Sequence, residues 1–271
     1  MRSRIRWPRV KSSRSVGQGQ PVLGAAERVD RGILDMTSLR KTALVAGLCY
    51  LLTFVSVPTL VLYGPIHGVG YIVGPGPDGG ALRGGLLEIV VALACIGTAV
   101  TLFPVVKRQN EALALGFVAA RVLEAATIFV GVVSLFAIVT VRRASAGADP
   151  VALVAVGKSL VAIYDEAFLL GQGLIPGVNA LLLGTLLYRS RLVPRMIPMI
   201  GLIGAPFFLA AKVAAILGIV DQFSVLPAVT TVPIAVWELS LGVWLVARGF
   251  TPSPVVGGTG TPGTRESRTA V

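Results

Sequence analysis

The 271-residue chain is 54% hydrophobic and 14% charged, with a mean hydropathy of +0.82, against roughly 25% charged residues in an ordinary soluble domain. Its 24 Lys and Arg outnumber 13 Asp and Glu, but ten of these cations precede Thr42 and most others sit in short segments between apolar runs, so they form no continuous basic face of the kind nucleic acid requires. Cys49 and Cys95 both fall inside apolar runs, which excludes a disulfide framework, and a single histidine, His67, excludes metal sites built on His pairs.

Residues 1–37 are basic and rich in Arg, Ser and Gly, with too little apolar content to fold alone and no apolar core of signal-peptide length. The sequence predicts a disordered segment here. Met36 opens a more ordinary membrane-protein start, with Arg40 and Lys41 ahead of the first apolar run, so residues 1–35 read either as an over-called start or as a cytoplasmic tail.

Six apolar stretches then occupy about 42–62, 85–106, 112–140, 167–188, 196–219 and 228–247. Each approaches or exceeds the roughly 20 residues that cross about 30 Å of hydrocarbon. The expected fold is all-α: one polytopic transmembrane helical bundle over residues 38–250, followed by a disordered tail at 251–271. Pro58 sits near the far end of the first span, and a Gly- and Pro-dense loop follows it. Residues 150–166 carry Lys158, Asp165 and Glu166 on helical material, and read as an interfacial helix or as an extension of the fourth span. Gly173 and Gly177 form a small-xxx-small pair, which serves intramolecular packing or a homo-oligomer. Trp237 lies too deep for an interfacial belt and is expected inside the bundle.

Loop charges orient the spans. With the N-terminus cytoplasmic, inside segments hold 18 Lys and Arg and outside segments four, or ten against four without residues 1–35. Both termini are therefore expected in the cytoplasm.

Five ionisable residues fall within spans: Glu88, Arg121, Glu124, Lys212 and Glu238. Each costs about 2.5–3.5 kcal/mol near a helix centre if unpaired. Arg121 and Glu124 are three apart, hence neighbours on one helix face and able to form a local pair. Glu238 lacks a local partner, so Arg121 or Lys212 must neutralise it across the bundle, or it must carry a proton. These three form the candidate buried polar site. Glu88 and Lys212 are secondary candidates, close enough to helix ends to snorkel. Asp165 and Glu166 are adjacent and do not share a helix face, a weak basis for a cation site. His67 in its Gly-rich loop reads as solvated. No protease helix motif, P-loop or nucleotide fingerprint is visible, and no cofactor is expected.

Several stretches together resemble a bacterial multi-spanning family catalogued as domain of unknown function 4386. They are AGLCYLLTF in the first span, RVLE at 121–124, YRSRLVPR at 188–195 with the following MIPMIGLIGA, and WELSLGVWLVARGF at 237–250. The resemblance runs from Ser38 to Phe250 and is most distinctive at Tyr188, Ser190, Leu192, Val193 and Pro194; Glu124 and Glu238 fall at acidic positions of the pattern. It implies a multi-pass protein of the bacterial cell (inner) membrane and no activity, and the long N-terminal segment departs from it. The residues leave three readings, in this order: a non-enzymatic membrane protein whose buried charges are structural clamps; a small-molecule or ion permease using Arg121, Glu124 and Glu238; and a membrane-embedded enzyme, third because no nucleophile–base pair is visible. The lipid bilayer is the expected partner, and the substrate is unassigned.

Overall fold

The computed structural model describes residues 24–68, 70–74, 78–144 and 147–253, with side chains from Ser38 onward except at 58 and 60. Residues 1–23 and 254–271, most of the two expected tails, lie outside the described residues. The chain divides into two units at Ser38. Of the first, only backbone from Gly24 is described, and it is helical. The helix α1 (Gly24–Thr53) thus begins inside the segment expected to be disordered, over a GAAERVDRGILDM stretch that holds good helix formers. The second unit, Leu39–Val271, contains the apolar helices.

Every regular element among the described residues is helical. After α1 come α2 (Ser56–Tyr63) and a short 3₁₀ turn, Gly64–His67. Then α3 (Gly79–Val106), α4 (Glu111–Ala144), α5 (Pro150–Phe168), α6 (Ile175–Ser190), α7 (Met196–Ile216) and α8 (Val225–Ala247) succeed one another. Among the described residues, five segments are long and apolar enough to cross a membrane: α3, α4, the continuous Pro150–Ser190, α7 and α8. The first expected span is not one helix. Its helix breaks at Phe54 and Val55, where bonds run three residues back, to Leu51 and Leu52. Pro58 explains the position: a proline has no backbone N–H to donate to residue 54.

Residues 150–166 belong to the fourth span as its extension. Asp149 caps the start, accepting from the amides of Val151 and Ala152 at 3.2 and 3.3 Å, and Pro150 supplies a first position that needs no N–H. Midway, Leu169–Leu174 widens into a π turn, with the Ile175 amide bonded to the Leu170 carbonyl five residues back. Pro176 would meet the Gln172 carbonyl in a regular α-helix, and the wider turn relieves that clash.

The surface is apolar on the outside. On α8, Val225, Val229, Val232, Val236, Leu239 and Val243 form one stripe, 44 to 78% exposed. Soluble monomers rarely present such continuous apolar faces, so the hydrocarbon of a bilayer is the solvent this protein is built for. The protein is a membrane-embedded helical bundle. Inside it, α4 packs against α3, α5 and α6, while α7 packs against α6 and α8. Tyr50, Phe117, Leu183, Phe208, Trp237 and Leu241 join five helices in the larger core. Trp237 is 1% exposed, inside the bundle as expected. The small-xxx-small pair is used within the chain: a Cβ on Gly177 would lie 2.8 Å from Leu209 on α7.

The two ends differ in charge. At one end Arg40 donates to the carbonyls of Leu245 and Val246 at 3.0 and 2.7 Å, capping α8. There the YRSRLVPR turn closes α6 with Arg191 in the left-handed region (φ 55°) and buries Leu192 and Val193. The Thr251 amide bonds the Leu192 carbonyl at 2.8 Å, and the Ser253 hydroxyl bonds the Ser190 carbonyl, so the first residues of the expected tail are anchored. Pro194 precedes α7 by two residues. At the other end Asp78 accepts from Arg142 at 2.5 Å and Arg143 at 2.8 Å.

Candidate functional site

Arg121 organises the interior. It is 1% exposed in the middle of α4, where an unpaired guanidinium would be untenable. Its Nη1 donates to Glu124 Oε2 at 3.0 Å, the local pair that the three-residue spacing predicts. Its Nη2 donates to Glu238 Oε1 on α8 at 2.7 Å. Of the partners open to Glu238, the fold selects Arg121. Asn179 on α6 donates to Glu124 Oε2 at 2.7 Å. The guanidinium carbon lies 5.0 Å from the Tyr50 ring and 6.0 Å from that of Phe117, an added cation–π contribution. Cys95 Sγ lies 3.7 Å from Nη1. Groups from α1, α3, α4, α6 and α8 thus meet at one cation.

The network is unequal in two respects. Two carboxylates face one guanidinium, so the ionised cluster carries one excess negative charge. Glu124 and Glu238 both border a cavity of about 150 Å³, but Glu238 is the more exposed of the two, its side chain 14% against 5%. That cavity lies between the two irregularities of the backbone. Thr53, Phe54, Ser56 and Val57 come from the α1–α2 break, Gln172 and Pro176 from the π turn, and Thr231 from α8. Arg121 Nε and Asn179 Oδ1 are buried and accept or donate nothing among the described residues.

Glu88 does not snorkel. It is 2% exposed and forms a second polar cluster. Its Oε1 lies 2.7 Å from Thr59 Oγ1 and 3.2 Å from the Tyr63 hydroxyl, and its Oε2 accepts from Gln172 Nε2 at 2.6 Å. The reason is α2, whose short turn brings Thr59 and Tyr63 over Glu88 on α3. Gln172 also lines the central cavity, so it touches both clusters.

Lys212 joins neither. It is 7% exposed, its ammonium lies 5.3 Å from the Phe208 ring, and its stem runs beside Gly173 of the π turn. His67 is not merely solvated: Nε2 lies 2.9 Å from Asp165 Oδ1. The two border a second pocket, of about 200 Å³, with Tyr71, Lys158 and Ile138. Glu166 faces a different pocket, with Asp221 and Gln222, so the adjacent carboxylates diverge. Among the described residues no three His, Cys, Asp or Glu gather as metal ligands.

Sequence reasoning overlooked Tyr50, Thr59, Tyr63, Gln172 and Asn179. A signal existed for part of this set. Asp165, Gln172 and Asn179 recur every seven residues along one helical segment, two turns apart, and each meets a charged or ionisable side chain from another element.

A model of the family described as Domain of unknown function (DUF4386) matches residues 45–249. No curated protein and no solved structure matches the chain.

Proposed function

Because the chain belongs to the family described as Domain of unknown function (DUF4386), whose description assigns no activity, we propose a function from the site itself: a small ion-coupled carrier in which Glu238 takes up a proton or a small monovalent cation. The carrying observation is the charge imbalance beside a cavity. Arg121, Glu124 and Asn179 form a clamp that fixes α4 against α6. Glu238 shares the same guanidinium and is the more exposed of the two carboxylates on the cavity, and one bound positive charge there neutralises the excess carboxylate where net charge is expensive. Broken and widened helices beside a mid-membrane site are a recurring feature of transporters. Against an enzyme, the cavity contains no histidine, and its thiol, Cys95, is 1% exposed and held against Arg121.

The same reading places the protein in a bacterial cell membrane with both termini in the cytoplasm. The end that holds Arg40, Arg189, Arg191, Arg195 and Arg248 is the more basic, and positive charge favours the inside. The Gly173–Gly177 pair is filled by α7, which argues against its serving a homo-oligomer.

Proton flux tests the proposal. Full-length protein is reconstituted in vesicles containing a trapped pH-sensitive dye, with potassium and valinomycin setting the potential. Wild type should acidify the lumen faster than empty vesicles, and Glu238→Gln should abolish the difference while melting within a few degrees of wild type. Flux unchanged in Glu238→Gln would refute the carrier reading. So would the absence of flux in wild type together with a lowered melting point in the variant, which is the behaviour of a pure clamp.

A further inference from the structure

The cavity beside Glu238 is selective in charge and in hydrogen bonding. Glu124 and Glu238 both line it against the single guanidinium of Arg121, so one positive charge balances the ionised site and an anion is repelled. Lys212, over the Phe208 ring, is not part of the lining. Glu238 Oε1 accepts from Arg121, while Oε2 has no partner among the described residues. Thr53 and Thr231, also in the lining, donate their hydroxyl protons to the carbonyls of Tyr50 and Pro227, both at 2.7 Å. Carbonyls only accept, so these hydroxyls keep lone pairs and no proton to offer. The spare capacity of all three residues is for accepting, which suits an occupant rich in N–H.

The remainder of the lining is largely apolar, with Phe54, Val91, Phe208 and Ile234 among it. At about 150 Å³ the cavity matches in volume an engineered one that holds benzene. That is far more room than a bare alkali ion fills, and hard cations need a nearly complete shell of oxygens that such walls do not give. Arg121 supplies a further constraint. Its side chain lines the cavity, and its Nε is a buried donor with no acceptor among the described residues. Buried donors in native proteins are nearly always paired, so the occupant that completes the site brings an oxygen as well as a charge.

We propose that this cavity binds a short amino alcohol, a primary ammonium ion of roughly four to six heavy atoms that carries a hydroxyl. The ammonium donates to Glu238 Oε2 and to the two threonine hydroxyls, the methylenes lie against Phe54 and Ile234, and the ligand's oxygen accepts from Arg121 Nε. Oε2 holds a proton or the ammonium and not both, so the two cations share one site. The ligand is the cargo of the carrier proposed above and rests on that reading for its transport, whereas its binding depends on the cavity alone.

Isothermal titration calorimetry tests it, on the full-length protein in phosphatidylcholine–phosphatidylglycerol nanodiscs, whose lipids carry no primary amine. Linear propanolamine should bind at one site per chain. It should bind about tenfold more tightly than n-butylammonium, which has a methyl in place of the hydroxyl and leaves the Arg121 donor unpaired. Propanediol, which lacks the charge, and sodium should not bind. Glu238→Gln should abolish propanolamine binding. If that variant does not fold, Ala235→Leu fills the cavity without changing a charge and should abolish binding as well. Replacing phosphatidylcholine by phosphatidylethanolamine should leave the affinity unchanged; a loss would assign the site to a lipid headgroup and overturn a free ligand. No binding to wild type, binding retained in either variant, or equal or tighter binding of n-butylammonium or sodium would each overturn the proposal. Binding without proton flux in vesicles would refute the carrier and leave this site standing, whereas flux without binding would refute the site alone.

Discussion

Replacing Glu124 by Gln separates the more buried carboxylate of the network from the more exposed one. Glu124 is 4% exposed, and its Oε2 accepts from both Arg121 at 3.0 Å and Asn179 at 2.7 Å. Hydrogen bonds to a charged group contribute about 1.5–3 kcal/mol and neutral ones about 0.5–1.5 kcal/mol. A Gln amide oxygen can occupy the same place, so the two bonds weaken rather than vanish, with a loss of about 2–3 kcal/mol. Arg121 keeps Glu238, so the loss stays below the roughly 3–5 kcal/mol of stripping a buried charge of its partner. Glu238→Gln weakens one bond at a partly accessible carboxylate and loses about 1 kcal/mol. At about 2–4 °C per kcal/mol for a chain of this size, the melting midpoint should fall by about 4–12 °C for Glu124→Gln and by about 2–4 °C for Glu238→Gln. Heating in detergent while following the fluorescence of buried Trp237 measures both. Equal falls, or a larger one for Glu238→Gln, would refute the ranking of the two carboxylates.

Other consequences can be checked with the same preparation. Arg40→Gln removes the cap on the last α8 carbonyls and should lower the midpoint by about 2–8 °C, from a loss of about 1–2 kcal/mol; Lys41→Gln beside it serves as the comparison. Gly177→Val forces side-chain atoms into Leu209 and Phe208 and should cost about 1–3 kcal/mol of overpacking, seen as reduced melting with an unchanged mass by native mass spectrometry. A changed oligomeric state at unchanged melting would show instead that this face meets another chain. Asp165→Asn should move stability by under about 0.5 kcal/mol, because its contact with His67 is solvent-accessible. In a background without Cys49 and Cys95, a membrane-impermeant maleimide added to intact cells should label His67→Cys but reach Arg189→Cys only after permeabilisation; the opposite pattern would reverse the orientation.

The sequence by itself determined the bundle, because in hydrocarbon the length of an apolar run decides where a helix crosses and the charges beside it mark its ends. It also determined the Arg121–Glu124 pair, since a three-residue spacing is enforced by helix geometry within a single element. The Asp149–Pro150 start lay in plain view for the same local reason, although the segment it opens read equally well as an interfacial helix. The fold alone decided the rest. Glu238 meets Arg121 and not Lys212, Glu88 lies under Thr59 and Tyr63 and not at the interface, and Gln172 touches two clusters. Such choices depend on how each helix is rotated about its axis. In a soluble protein the polar face reveals that rotation, but here lipid and core are both apolar and the pattern of hydrophobic residues is silent. Close contacts such as Gly177 against Leu209, together with the breaks set by Pro58 and Pro176, determine the rotation, and through it which buried charges become partners.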